Sequence, residues 1–110
     1  MDSGGDDPPV VLIHGVGDNL RSWDDLALTL SPSYRVIRYD MLGSGLTPAF
    51  LGTATLADFC KQLIDLLAHL DIDRFALCGF SMGGVVSQYF CRAHASRLDA
   101  LILMSTVYRR

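Results

Sequence analysis

The sequence predicts an α/β protein built on a parallel sheet with helices on both faces. Two observations carry this. Short apolar runs alternate with longer segments whose apolar residues recur at helical spacing, in the order βαβαβαβ with four strands. The runs are also apolar on both faces, as strands covered by helices on each side must be. Strand–helix–strand crossovers are right-handed almost without exception, which makes the sheet parallel.

Each element has its own signal. "VVLI" (Val10–Ile13) is a β-branched run ended by the glycine-bearing loop "HGVGDN". From about Arg21 to Leu30, the residues Trp23, Leu26, Ala27 and Leu30 recur at helical spacing, and Asp24 and Asp25 suit the positive end of that helix. "YRVIRYD" (Tyr34–Asp40) is the second strand, closed by "MLGSGLTP". Thr55 and Asp58 form a capping box ahead of the stripe Leu56, Phe59, Leu63, Leu66, Leu67 and Leu70. "RFALCG" (Arg74–Gly79) is the third strand, "MGGVVSQYFCRAHA" a helix apolar almost all round, and "LDALILMS" (Leu98–Ser105) the fourth strand.

Composition narrows the function. The 110 residues suffice for one domain, half of them are hydrophobic, and the net charge is −3. With no run of lysine or arginine, nucleic acid is not an expected partner. Apolar stretches fall short of the ~18–20 residues of a membrane helix, so no membrane is expected either. The acidic opening "MDSGGDDPP" lacks an apolar signal core and reads as a flexible leader over residues 1–9. Cys60, Cys78 and Cys91 lack CxxC spacing and read as reduced thiols of a cytoplasmic protein. The scattered His14, His69 and His94 make no zinc motif, so no metal is expected.

One stretch stands out chemically. Gly79-Phe80-Ser81-Met82-Gly83 is G-x-S-x-G, placed between a buried strand and a buried helix. A turn that tight needs small residues beside the serine, because Cβ atoms there would strike neighbouring backbone. It would lift Ser81 Oγ above the carboxyl ends of the strands, where open α/β sheets bind ligands. The amino end of the following helix would face a developing oxyanion.

With "HGVGDN" (His14–Asn19), "YDMLGSGLT" (Tyr39–Thr47) and "GFSMGG" (Gly79–Gly84) in that order, the chain resembles the N-terminal part of an α/β-hydrolase fold protein. "SRLDALILMSTV" (Ser96–Val107) is similar to the family's next strand, and the pattern is nearest the esterase and lactonase group that includes enol-lactone hydrolases. The resemblance implies a cofactor-free hydrolase of a small-molecule ester or lactone. Ser81 would be the nucleophile and Met82 N–H one oxyanion-hole donor. The second donor would be Val16 N–H first, Gly17 N–H second, in a loop shaped by His14 and Gly15. Asp40, Gly43 and Gly45 match a structural D-x-x-G-x-G turn, with Thr47 where serine is frequent. Serine at position 81 argues against dehalogenase and epoxide-hydrolase chemistry, which the resemblance assigns to aspartate.

Plainer readings stand beside these. Ser81 could be only a small turn residue, His14 a structural loop histidine, Trp23 helix packing rather than a substrate platform, and Phe80 and Met82 core. The triad partners are also missing. In this fold the acid and then the histidine follow the serine along the chain. The one histidine after Ser81 is His94, on the same helix and roughly 20 Å away, against about 3 Å for proton transfer. His69 and Asp99 fall at the opposite edge of the sheet.

Residues 10–110 are therefore expected to be a partial α/β-hydrolase domain lacking the first hairpin, the cap and the C-terminal strands. The strands would run second-first-third-fourth, with both outer edges open to self-association. The alternative is a non-catalytic binding or regulatory remnant of the fold.

Overall fold

A computed structural model describes residues 2–14, 23–40, 55–80 and 82–104. The elements follow the expected order: β1 (Pro9–Ile13), α1 (Asp24–Leu30), β2 (Arg35–Tyr39), α2 (Leu56–His69), β3 (Phe75–Phe80), α3 (Met82–His94), a 3₁₀ turn (Ala95–Arg97) and β4 (Leu98–Met104). The four strands form one sheet in the order β2-β1-β3-β4, every pair parallel. Register runs Ile13 beside Tyr39 on one side and beside Gly79 on the other, which brings the carboxyl ends of β1 and β3 level.

Alternation along the strands splits the apolar residues between two cores. Val11, Ile13, Ile37, Phe75 and Leu77 face α2 and α3, where they pack on Leu63, Leu67, Val86 and Phe90. Val10, Leu12, Val36 and Cys78 face α1, where Trp23 and Ala27 cover them. Trp23 is thus buried packing for that core.

Helix α2 starts at the expected capping box. Asp58 N–H donates to Thr55 Oγ1 at 3.2 Å, and Thr55 N–H donates to Asp58 Oδ2 at 2.9 Å. Its end was not anticipated. Asp71 adopts φ +56°, Asp71 N–H donates to the Ala68 carbonyl at 3.2 Å, and Ile72 N–H donates to the Leu67 carbonyl at 2.9 Å. That is a Schellman closure with aspartate where glycine is usual, and it folds Ile72 into the core.

Two expectations change at the sheet edges. The opening residues make specific bonds with β2. Asp2 forms an antiparallel bridge with Ile37 on the outer side of β2, so that edge is partly covered rather than open. Strand β4 reads as apolar on both faces, yet its α1-side residues Ile102 and Met104 remain 49% and 42% exposed. Among the described residues no helix is long and apolar enough to cross a membrane.

Candidate active site

The described residues on either side of position 81 are a strand before it and a helix after it. Strand β3 ends at Phe80 and α3 begins at Met82, leaving one residue between them. The first turn of α3 is wedged between the ends of two strands. A Cβ on Gly83 would overlap the Ile13 carbonyl oxygen and come within 2.6 Å of the His14 carbonyl oxygen. A Cβ on Gly79 would overlap the Gly83 carbonyl and lie 2.5 Å from Ser87 Oγ. Both flanking glycines are therefore fixed by close backbone approach, since real Cβ atoms do not come so near.

Ser87 is the residue of this wedge that sequence reasoning missed. It is fully buried, and its hydroxyl donates to the Gly83 carbonyl at 2.7 Å. A serine bonding back four residues bends a helix slightly. Here it sits directly beneath Gly79. No local signal marks it, since "VVSQYF" reads as ordinary helix.

The predicted site residues fall into two groups. His14 and Met82 are described: His14 is fully buried just after β1, and Met82 is half-buried as the first residue of α3. Ser81, Gly15, Val16 and Gly17 lie outside the described residues, as do Gly43, Gly45 and Thr47. Asp40 is buried at the end of β2, where its carbonyl accepts a bond from Gln62 Nε2 at 2.8 Å. That contact ties the start of the D-x-x-G-x-G segment to α2.

The remaining histidines and Asp99 stand where topology places them. Helix α3 is 13 residues long, so His94 at its far end is about 18 Å from Met82. It stacks on Phe90, ring centroids 4.9 Å apart. His69 closes α2 at the edge where the strands begin. Asp99 lies at the start of β4 and accepts bonds from Arg74 at 2.8 and 3.0 Å. None of these reaches the turn between β3 and α3.

Other reactive groups are held neutral. Burial pushes the Cys60 and Cys78 thiols up, which keeps them protonated and poor nucleophiles. Burial, with Cys60 alongside, pushes the Tyr39 hydroxyl above its ordinary range, and Tyr39 OH and Trp23 Nε1 are buried without a hydrogen-bond partner among the described residues. Among the described residues, no group of histidine, cysteine and carboxylate side chains could hold a metal ion. Two grooves of about 350 and 330 Å³ lie on the α1 side, one along β2 and the other at the start of β1, β3 and β4, both away from the β3–α3 turn.

Comparison with known proteins agrees with this architecture. A family model described as alpha/beta hydrolase fold matches residues 8–109. The pimeloyl-[acyl-carrier protein] methyl ester esterase of Legionella pneumophila is 35% identical over 102 residues, which cover 93% of this chain and 39% of that protein. The crystal structure of the enol-lactonase from Burkholderia xenovorans superposes with a TM-score of 0.88 at 33% identity, covering 93% of this chain and 39% of that one. A Vigna radiata epoxide hydrolase mutant superposes with a TM-score of 0.86 at 28% identity, covering 96% of this chain and 35% of that one. The chain thus spans well under half the length of the relatives it matches.

Proposed function

The chain belongs to the α/β-hydrolase fold family, and from that premise we propose that it carries the nucleophile and oxyanion hole of a serine hydrolase acting on a carboxylic ester or lactone. The observation that supports this most is the wedge at the amino end of α3. Gly79 and Gly83 leave no room for a Cβ, and position 81 lies between them where the strand turns into the helix. Serine at that position, not aspartate, favours ester or lactone chemistry over epoxide opening. The similarity to an ester esterase and an enol-lactonase points the same way.

In this reading Ser81 Oγ attacks the substrate carbonyl carbon while a histidine takes its proton. The Met82 and Val16 N–H groups hold the oxyanion of the tetrahedral intermediate. That intermediate collapses to an acyl-serine, and the leaving alkoxide receives the proton from the histidinium. Water, deprotonated by the same histidine, then attacks the acyl carbon, and as the acid leaves, the bond to Ser81 Oγ breaks and Oγ regains its proton from the histidinium. His69 and His94 stand at the wrong ends of their helices and His14 precedes the serine, against the family's chain order, so in this reading the base and its carboxylate partner come from outside residues 1–110.

In a longer protein containing this chain, Ser81→Ala is expected to lower p-nitrophenyl acetate hydrolysis by about 10³-fold or more. The 110-residue chain alone is expected to hydrolyse that ester no faster than its own Ser81→Ala variant. Undiminished turnover in the longer variant would overturn the nucleophile. Large Ser81-dependent turnover by the short chain would overturn the external base.

The second reading is a non-catalytic binding or regulatory chain. It is favoured by the distance of His69 and His94 from the turn, and by the outer edge of β4, open among the described residues to self-association. It predicts no Ser81-dependent turnover in either form.

A further inference from the structure

Helix α3 meets the ends of β1 and β3 almost entirely through backbone. Ile13 and Gly79 are neighbours across those two strands. Gly83 lies against the carbonyl oxygens of Ile13 and His14, and its own carbonyl lies against Gly79. Among the atoms nearest the two would-be Cβ positions, Ser87 Oγ is the one that belongs to a side chain. It lies 2.5 Å from the place a Cβ on Gly79 would take. Of the atoms that fix this close approach, it alone can be exchanged by substitution without altering the backbone.

The hydroxyl stands where the helix has no need of it. Helix α3 runs from Met82 to His94, so its ladder already brings the Ser87 N–H to the Gly83 carbonyl. Ser87 Oγ donates to that same carbonyl at 2.7 Å, and the side chain has no exposure to solvent. A hydroxyl that gives its one proton to an acceptor already served adds little to the helix, and alanine is the better helix former. What the bond does is hold Oγ in one orientation. The fixed hydroxyl oxygen and the Gly83 carbonyl oxygen together make the surface on which Gly79 rests. One residue joins β3 to α3, so any change in the gap between Gly79 and the first turn of α3 is passed to position 81.

We propose that Ser87 is a positioning residue for the nucleophile turn. Its hydroxyl, pinned to the Gly83 carbonyl, sets the distance between the end of β3 and the first turn of α3, and with it the alignment of Ser81 Oγ with the Met82 N–H. This role rests on Ser81 being the nucleophile of an ester or lactone hydrolase. Ser87 is fully buried and touches no substrate. Removing its oxygen leaves slack beneath Gly79, and a larger atom overfills the gap. Either change moves the reacting groups by a fraction of an ångström, where misplacement by about 1 Å costs roughly 10²-fold in rate.

The test compares Ser87→Ala, Ser87→Cys and Ser81→Ala in the longer protein containing this chain, with p-nitrophenyl acetate as substrate. End-point labelling with a fluorophosphonate counts competent sites, so that kcat refers to folded enzyme alone. Ser87→Ala and Ser87→Cys should each lower kcat by about tenfold and leave KM within about twofold. Affinity for phenylboronic acid, which forms a tetrahedral adduct on a nucleophilic serine, should fall by the same factor as kcat. The thermal midpoint of Ser87→Ala should stay within about 4 °C of the unmodified protein. Unchanged kcat in Ser87→Ala, with Ser81→Ala inactive, would overturn the positioning role and leave the nucleophile standing. A lowered midpoint with kcat per labelled site unchanged would make Ser87 a packing residue only, and overturn it also. Full activity in Ser87→Cys beside a loss in Ser87→Ala would show that any donor serves and overturn the role of spacing. A fall in kcat without a matching loss of boronate affinity would put the effect outside the turn and overturn it. Undiminished activity in Ser81→Ala would overturn the nucleophile, and the positioning role with it.

Discussion

The two faces of the sheet are built to different standards. On one, α2 and α3 cover the strands so fully that Val11, Ile13, Leu63, Leu67, Phe75, Leu77, Val86 and Phe90 have no exposure at all. On the other, Trp23 and the seven-residue α1 pack with Val10 and Leu12 of β1, Val36 of β2 and Cys78 of β3, and no residue of β4 joins that core. Ile102 and Met104 stand half in solvent as a result. The candidate site draws on the first face. Met82 and Gly83 open α3, whose Val86, Ser87 and Phe90 are fully buried against the sheet. A preorganised oxyanion site needs that rigidity, because donors misplaced by an ångström lose most of their effect.

If the faces differ as described, equal truncations should cost very different amounts. Phe90 is fully buried and lies against Phe75, ring centroids 5.5 Å apart. Phe90→Ala should destabilise the chain by about 3–5 kcal/mol, the range for aromatic truncation in a packed core. Ile102→Ala removes a side chain already half in water and should cost less than about 1 kcal/mol. Urea midpoints of the two variants measure the contrast. Costs within about 1 kcal/mol of each other would show that β4 is covered as well as β3.

A smaller effect tests the wedge itself. On propensity alone, Gly83→Ala inside a helix should stabilise by about 0.5–1 kcal/mol. The structure predicts the opposite sign. The new methyl would meet the carbonyl oxygens of Ile13 and His14, backbone atoms that cannot swing aside without shifting β1. A loss of about 2–3 kcal/mol in urea denaturation is expected. Any gain would mean α3 does not sit against the end of β1.

These contrasts also mark what the sequence could reveal. Local signals were enough for α2, because its capping box and apolar stripe lie within one stretch of chain. The parallel sheet followed from the alternation of strands and helices, its strand order from the resemblance to the fold family, and the paired glycines around Ser81 announced a close approach. Contacts between distant segments left no such trace. Ser3 meets Val36 across 33 residues, and nothing in "MDSGG" marks that pairing. Tyr39 and Trp23 look like ordinary core aromatics, and only the packed elements show that their polar atoms have no partner among the described residues. The apolar pattern of β4 implied cover on both faces. The described helices supply it on one.

The smallest effect concerns a position where a local rule is broken. Helices that end in a Schellman closure place glycine at the left-handed residue, because an L side chain is disfavoured there. Asp71 holds that conformation at φ +56°, immediately after α2. Asp71→Gly removes the steric penalty but makes the unfolded chain more flexible, which offsets part of the gain. A net stabilisation of about 0.5 kcal/mol is expected, or roughly 2–4 °C in the thermal midpoint. Asp71→Ala keeps the steric penalty and loses the side chain's capacity for local bonding, so it should lower the midpoint. A lower midpoint for Asp71→Gly as well would mean that the aspartate side chain, rather than backbone conformation, holds the end of α2. Ile72 depends on that closure for its place in the core, so the same pair of variants reports how firmly the fully packed face is closed at its lower edge.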